Sequence, residues 1–270
     1  MRSSSNPAFR NLPKGQAGGY ATFDRQGGGA MGGAAAYADA RASQVGYGRA
    51  EVGERPITVD DIVMKTALSA GTALVTGILT AVTGAYVLAL PAFIVGFIVS
   101  LVLIFKPNLA KAPLVLVYSA AMGIALGAIT GLFNNIYPGI ALQAVVGTAG
   151  VFIGMLVVYK TGAVRVTPRF TKWLMGALVG VVVLMLFNLV MSLFGINTGL
   201  RDGGPLAIVF SLVVIGVAAF SLLLDFDQAD RAIRGGAPAK FAWYIAFGLM
   251  TTLVWLYLEI LRLLSYLRQS

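Results

Sequence analysis

The amino-acid sequence predicts an all-α protein, a polytopic membrane bundle of seven transmembrane helices. Hydrophobic residues make up 58% of the chain and charged residues 11%, whereas soluble domains carry roughly 45–50% and about 25%. From about Thr66 onward the chain is a succession of apolar runs separated by short polar breaks. Those runs are continuous rather than alternating, which excludes a membrane-spanning strand barrel.

The first stretch, residues 1–57, is set apart by glycine. The first sixty residues hold 11 of the 33 glycines, in runs such as Gly27-Gly28-Gly29, and contain no long apolar segment. Such a segment buries too little surface to offset its ordering entropy, so a disordered cytoplasmic tail is expected. It does not read as a signal peptide, because no basic start leads into an apolar stretch and a small-residue cleavage site. Nor does it read as a phosphate cradle, since no Gly-Lys-Ser/Thr follows the glycines.

Residues 58–270 form the transmembrane domain. A spanning helix needs about 20 apolar residues, and the candidate spans are 66–89, 92–105, 113–133, 139–159, 173–194, 206–224 and 241–267. The second is short, bounded by Pro91 and by Lys106-Pro107, and the seventh carries Trp243 and Tyr244 as interfacial anchors. Small residues recur every four positions: Gly123, Gly127 and Gly131 in the third span, Gly150 and Gly154 in the fourth, Gly176 and Gly180 in the fifth. Spaced in that way they let helix backbones approach closely where lipid removes the hydrophobic drive to associate.

Basic residues set the orientation. Seventeen of the 20 Lys and Arg fall in the tail and in the loops after spans two, four and six, against Arg201, Arg262 and Arg268 on the other side. This places the N-terminus in the cytoplasm and the C-terminus outside, in a multi-pass protein of the inner (plasma) membrane. The net charge of +9 therefore records topology, and no nucleic-acid partner is implied.

Composition removes whole chemistries. With Cys 0 and His 0 there is no disulfide, no thiol nucleophile, no imidazole or thiolate metal site and no Ser-His-Asp triad. No cofactor motif is present. Of the 11 acids, Asp225 and Glu259 remain once those of the tail, the outer loop and the basic loop holding Asp227 and Asp230 are set aside. An ionisable group within a span costs about 2.5–3.5 kcal/mol on insertion scales and marks a functional candidate. Two plainer readings stand beside this one: Asp225 marks the cytoplasmic end of its helix, or Glu259 pairs with Arg262 one turn away. Asn188 and Gln143 are lesser polar groups within spans.

Several of these residues carry a resemblance. The patterns Leu222-Leu-Leu-Asp225-Phe-Asp227-Gln228 and Leu256-Tyr-Leu-Glu259-Ile-Leu-Arg262 resemble the sixth and seventh helices of the Bax inhibitor family. Val117 to Gly127 resembles its third helix, Phe187-Asn188 part of its fifth, and Thr58 to Thr66 the preface of a bacterial branch with Gly-rich tails. The likeness covers residues 58–268 and leaves the tail outside. It implies a pH-sensitive cation leak or exchanger, notably for calcium, in which Asp225 and Glu259 form a hydrogen-bonded pair sharing a proton. Lys106 takes the place of a basic latch, although a Lys lacks the bidentate fork of Arg. Calcium would be held weakly and in transit by the two carboxylates and backbone carbonyls. The partners implied are the bilayer, calcium and protons.

Contact between the two acids has a geometric condition. Glu259 lies 18 residues beyond Phe241, about 27 Å along a helix. The pair can meet only if residues 241–247 lie outside the span or along the cytoplasmic interface, with the span proper starting near Gly248. A different class of function is a membrane-embedded regulatory partner of another complex, such as a protease or stress machinery, with the tail as a tether. An enzyme is not expected: intramembrane aspartyl proteases need a Gly-x-Gly-Asp motif, and no Asp here follows one. The orientation is checked by reporter fusions. An enzyme that is active only outside the cytoplasm is expected to be active behind Ser270 and silent ahead of Met1.

Overall fold

In a computed structural model, residues 54–196 and 198–269 are described, so the disorder expected for the tail lies, up to position 53, outside the described residues, while Ile57, the last residue of the tail, is buried. The helices are α1 (Val59–Thr83), α2 (Ala89–Phe105), α3 (Ala112–Ile136), α4 (Ile140–Thr161), α5 (Pro168–Leu193), α6 (Pro205–Arg234) and α7 (Ala242–Leu267). No strand occurs among the described residues. Seven segments are long and apolar enough to cross a membrane.

Three boundaries differ from the expected spans, each for a local reason. Helix α1 starts at Val59, seven positions earlier, because Thr58 and Asp61 form a capping box: the Asp61 amide donates to Thr58 Oγ1 and the Thr58 amide to Asp61 Oδ2. The polar preface is thus a helix start. Pro91 falls in the first turn of α2, where its missing N–H would be unpaired anyway. A 3-10 turn at Tyr86–Leu88 runs into that helix, and together they make a span of 20 residues. Helix α6 runs ten residues beyond Leu224, carried by i,i+4 ion pairs of Asp227 with Arg231 and of Asp230 with Arg234. Asp225 is therefore not a helix end.

Helix α7 is the centre of the bundle. It packs against α1, α3, α4 and α6, and it is the most buried of the seven, whereas α5 leans chiefly on α6 and is the least buried. One core cluster joins α4, α6 and α7 through residues such as Leu222, Phe226, Ile245 and Leu256. A second joins α1, α2, α3 and α7 through Leu103, Tyr118, Phe247 and Met250. At the end where α7 begins, the segment before α1 is stapled to the α6–α7 loop. Pro56 and Pro238 form a β-bridge, the Ile57 amide donates to the Ala237 carbonyl at 2.8 Å, and Lys65 Nζ donates to the Ala239 carbonyl at 2.6 Å.

The glycine ladders divide into two kinds. A Cβ on Gly127 would lie 2.2 Å from the Gly77 carbonyl oxygen, and one on Gly123 would lie 2.1 Å from Thr76 Oγ1. Thr76 Oγ1 also donates to the Ala120 carbonyl across the same seam at 3.2 Å. A Cβ on Gly131 would meet the Tyr86 ring at 2.6 Å. By contrast, Gly150, Gly154, Gly176 and Gly180 have nothing within 4 Å of a built Cβ. The packing role expected of Gly176 and Gly180 is therefore corrected: they lie on faces that no neighbouring helix covers, and spacing alone does not say which face a partner uses.

Gly127→Ala is expected to force α1 from α3 and to cost about 1–3 kcal/mol. Gly176→Ala is expected to be neutral or mildly stabilising, by up to about 1 kcal/mol. Thermal unfolding of the two variants in detergent separates them.

Candidate functional site

The two intramembrane acids occupy different stations along α7. Asp225, half-buried on α6, accepts a hydrogen bond from Thr252 Oγ1 of α7 at 2.7 Å. It lines a cavity of about 220 Å³ with Gln228, Tyr244, Thr251 and Thr252, and Ile104 of α2 closes one side. No basic side chain pairs with Asp225 among the described residues. Glu259 is 3% exposed and sits two turns further along α7. Its Oε1 accepts from Arg262 Nη1 at 3.1 Å and from Arg201 Nη2 at 3.3 Å, while its Oε2 is buried without a partner.

The structure therefore does not bring Asp225 and Glu259 together. Thr252, the partner of Asp225, precedes Glu259 by seven residues, roughly 10 Å of helical rise. Phe241, Ala242 and Phe247 belong to the buried core, so the bundle engages α7 from its first residue and carries Glu259 to the opposite end. A weak calcium site shared by the two carboxylates is excluded by the same spacing, and no group of three or more carboxylates forms among the described residues.

Other expected residues are placed as follows. Lys106 caps the end of α2, exposed and without an ion pair among the described residues, two positions after the Ile104 that borders the Asp225 cavity. Arg262 pairs with Glu259 at i,i+3, as the plainer reading allowed. Asp227 pairs with Arg231 on the extended end of α6. Asn188 does not bridge helices: its Oδ1 accepts from Thr198 in the loop that follows its own helix. Gln143 accepts from Arg268 Nη2 at 3.0 Å.

Two participants were not singled out from the sequence. Thr252 stands in the polar pair Thr251-Thr252 of an otherwise apolar run, which is a usable signal. Arg201 gave none, because its reach to Glu259 depends on how the α5–α6 loop folds back over the bundle. That arginine is half-buried, and its guanidinium pKa is lowered from the ordinary value, first by burial and then by the charge of Arg262, with Glu259 opposing. Tyr266 Oη donates to the Arg201 carbonyl at 3.2 Å, and Arg268 Nη1 donates to the Pro138 carbonyl at 2.8 Å. The last turns of α7 thus hold both the α3–α4 and the α5–α6 connections.

Seven apolar helices, with two carboxylates held inside the bundle at separate depths, define a multi-pass integral membrane protein. The chain belongs to the Bax inhibitor 1 like family, whose model matches residues 6–269. That match takes in most of the tail, which the resemblance read from the sequence had left outside. No curated protein gives a significant match to the chain.

Removing Glu259 leaves two guanidiniums facing each other without their carboxylate. Glu259→Ala is expected to destabilise by about 1–3 kcal/mol. Arg201→Ala is expected to cost less, because Arg262 still holds Oε1. Thermal unfolding in detergent ranks them, and faster proteolysis of the α5–α6 loop in both variants checks that the clasp is what was lost.

Proposed function

We propose that the protein is a pH-sensitive cation leak, with calcium among the ions it passes, and that its two carboxylates act separately rather than as one pair. The observation that carries this reading is Asp225: a carboxylate inside the bundle, partnered by one hydroxyl and lining a cavity between α6 and α7 into which Gln228, Thr251 and Thr252 also face. A structural acid at such a place is ordinarily paired with a base, and intramembrane acids without one mark ion or proton pathways.

Asp225 supplies the negative charge that draws a cation into the cavity, and Gln228, Thr251 and Thr252 supply neutral oxygens. Calcium takes 6–8 oxygen ligands, more than these side chains offer, so residence is brief and suits passage. Protonation of Asp225 removes the charge, so flux falls as pH drops. At the other end, Arg201 and Arg262 close over Glu259. Two guanidiniums repel an arriving cation, so this cluster is the closed gate, and it opens when Arg201 withdraws. Lys106, two positions after the Ile104 that borders the Asp225 cavity, adds a positive charge that tunes entry.

Calcium flux into proteoliposomes, measured against pH, tests the account. Asp225→Asn is expected to lower flux at least roughly tenfold, equivalent to a barrier increase of about 1.4 kcal/mol, and to flatten its pH dependence. Arg201→Ala is expected to raise it. Flux that is unchanged in both Asp225→Asn and Glu259→Gln ends this reading and favours a membrane-embedded regulatory partner without transport of its own.

A further inference from the structure

A second cavity, of about 1130 Å³, lies on another side of the bundle. It exceeds the roughly 300–1,000 Å³ of ordinary ligand pockets. Its walls are α1 and α4, which form no packed interface with each other, and its floor is made by α3, α6 and α7. Along α1 the lining runs from Val59 to Ala81, about 33 Å of helix, which matches the thickness of a bilayer core. The lining is mostly apolar, and the polar side chains away from the Lys160 end are satisfied within the protein, Thr130 with Tyr257 and Thr148 with the Ala144 carbonyl; exposed residues such as Val63 and Leu142 form its rims. The groove therefore opens sideways into lipid rather than to water.

Two polar features stand at the end where α1 begins and α4 ends. Lys160, in the last turn of α4, lines the mouth, exposed and without an ion pair among the described residues. Its neighbour at the mouth, Asp230, is already paired with Arg234 at 2.8 Å, which leaves the lysine charge uncompensated. Further in, Thr66 of α1 lines the groove. It is 9% exposed, and its hydroxyl is buried with no hydrogen-bond partner.

We propose that this groove holds one anionic glycerophospholipid, drawn from the leaflet on the Lys160 side. One of its acyl chains lies between α1 and α4 and the other stays in the bilayer, its phosphate pairs with Lys160, and an ester carbonyl accepts from Thr66 once that hydroxyl rotates about χ1. The chemistry of each level fits: a charge at headgroup depth, a free donor about two turns in, and hydrocarbon beyond. A water-filled groove would leave this apolar lining wet, and a soluble peptide has no route to an opening that faces the bilayer core. The site is independent of the Asp225 cavity and does not rest on the leak reading.

Native mass spectrometry of the purified full chain, titrated with phosphatidylglycerol or phosphatidylcholine, tests it. Wild type is expected to retain one phosphatidylglycerol per chain in preference to phosphatidylcholine. Ala67→Trp and Ala149→Trp, which fill the groove from opposite walls at exposed positions, are expected to lower retention about tenfold, a change of about 1.4 kcal/mol. Val183→Trp, exposed on α5 outside the groove, is expected to leave it unchanged. Lys160→Gln alters a surface side chain without loading the fold, and it is expected to abolish the preference for phosphatidylglycerol. Retention in both groove variants equal to wild type, or an equal loss in Val183→Trp, overturns the site. A preference that survives Lys160→Gln overturns the headgroup assignment.

Discussion

The bundle depends on how a buried helix satisfies its own polar side chains. Helix α7 is surrounded by α1, α3, α4 and α6, and it carries Thr251, Thr252, Tyr257 and Glu259 into that environment. Their partners lie on α3, on α6 and in the α5–α6 loop. Thr251 and Tyr118 share a hydrogen bond at 3.0 Å, as do Tyr257 and Thr130 at 2.7 Å, both to α3. Thr252 donates to Asp225 on α6, and Glu259 accepts from Arg201 of the α5–α6 loop. Hydrogen bonds between membrane helices average about 0.6 kcal/mol each, so their sum matters less than their positions. They fix the rotation and depth of α7, and everything packed against it inherits that register.

That register decides what the acids can do. A helix engaged from its first residue has no slack with which to slide Glu259 toward Asp225. The two carboxylates consequently have different surroundings, one a hydroxyl and a small cavity, the other two guanidiniums. A device built on a shared proton would need the acids within hydrogen-bond reach. The arrangement found here sets the two carboxylates at separate levels of one helix, about 10 Å apart.

Much of the fold was legible in the sequence. Seven long apolar runs and the absence of alternation gave the class, and the clustering of lysine and arginine in alternate loops is a property of composition that needs no coordinates. Helix ends were less legible. The capping box at Thr58 and Asp61 was present but read as a polar preface, and the i,i+4 pairs beyond Asp225 were read as a loop because charge and helix are not exclusive at a membrane surface. Among the glycines, Gly123, Gly127 and Gly131 do meet α1 or the turn after it, whereas Gly176 and Gly180 share the spacing and meet nothing. At the site, the residue types were visible one by one, but their grouping was not. Which acid faces which base depends on the depth of α7 and on a loop closure, and neither leaves a local pattern.

The bridge between Pro56 and Pro238 gives the chain a mechanical property. It joins the strip of backbone leading out of the amino-terminal region to the turn that launches α7, beside the bonds from Ile57 to Ala237 and from Lys65 to Ala239. Tension applied to the polypeptide ahead of Glu54 is therefore borne first by the anchorage of the central helix rather than by α1. The amino-terminal region thus has a lever arm on the one element whose displacement would be felt by every other helix it touches.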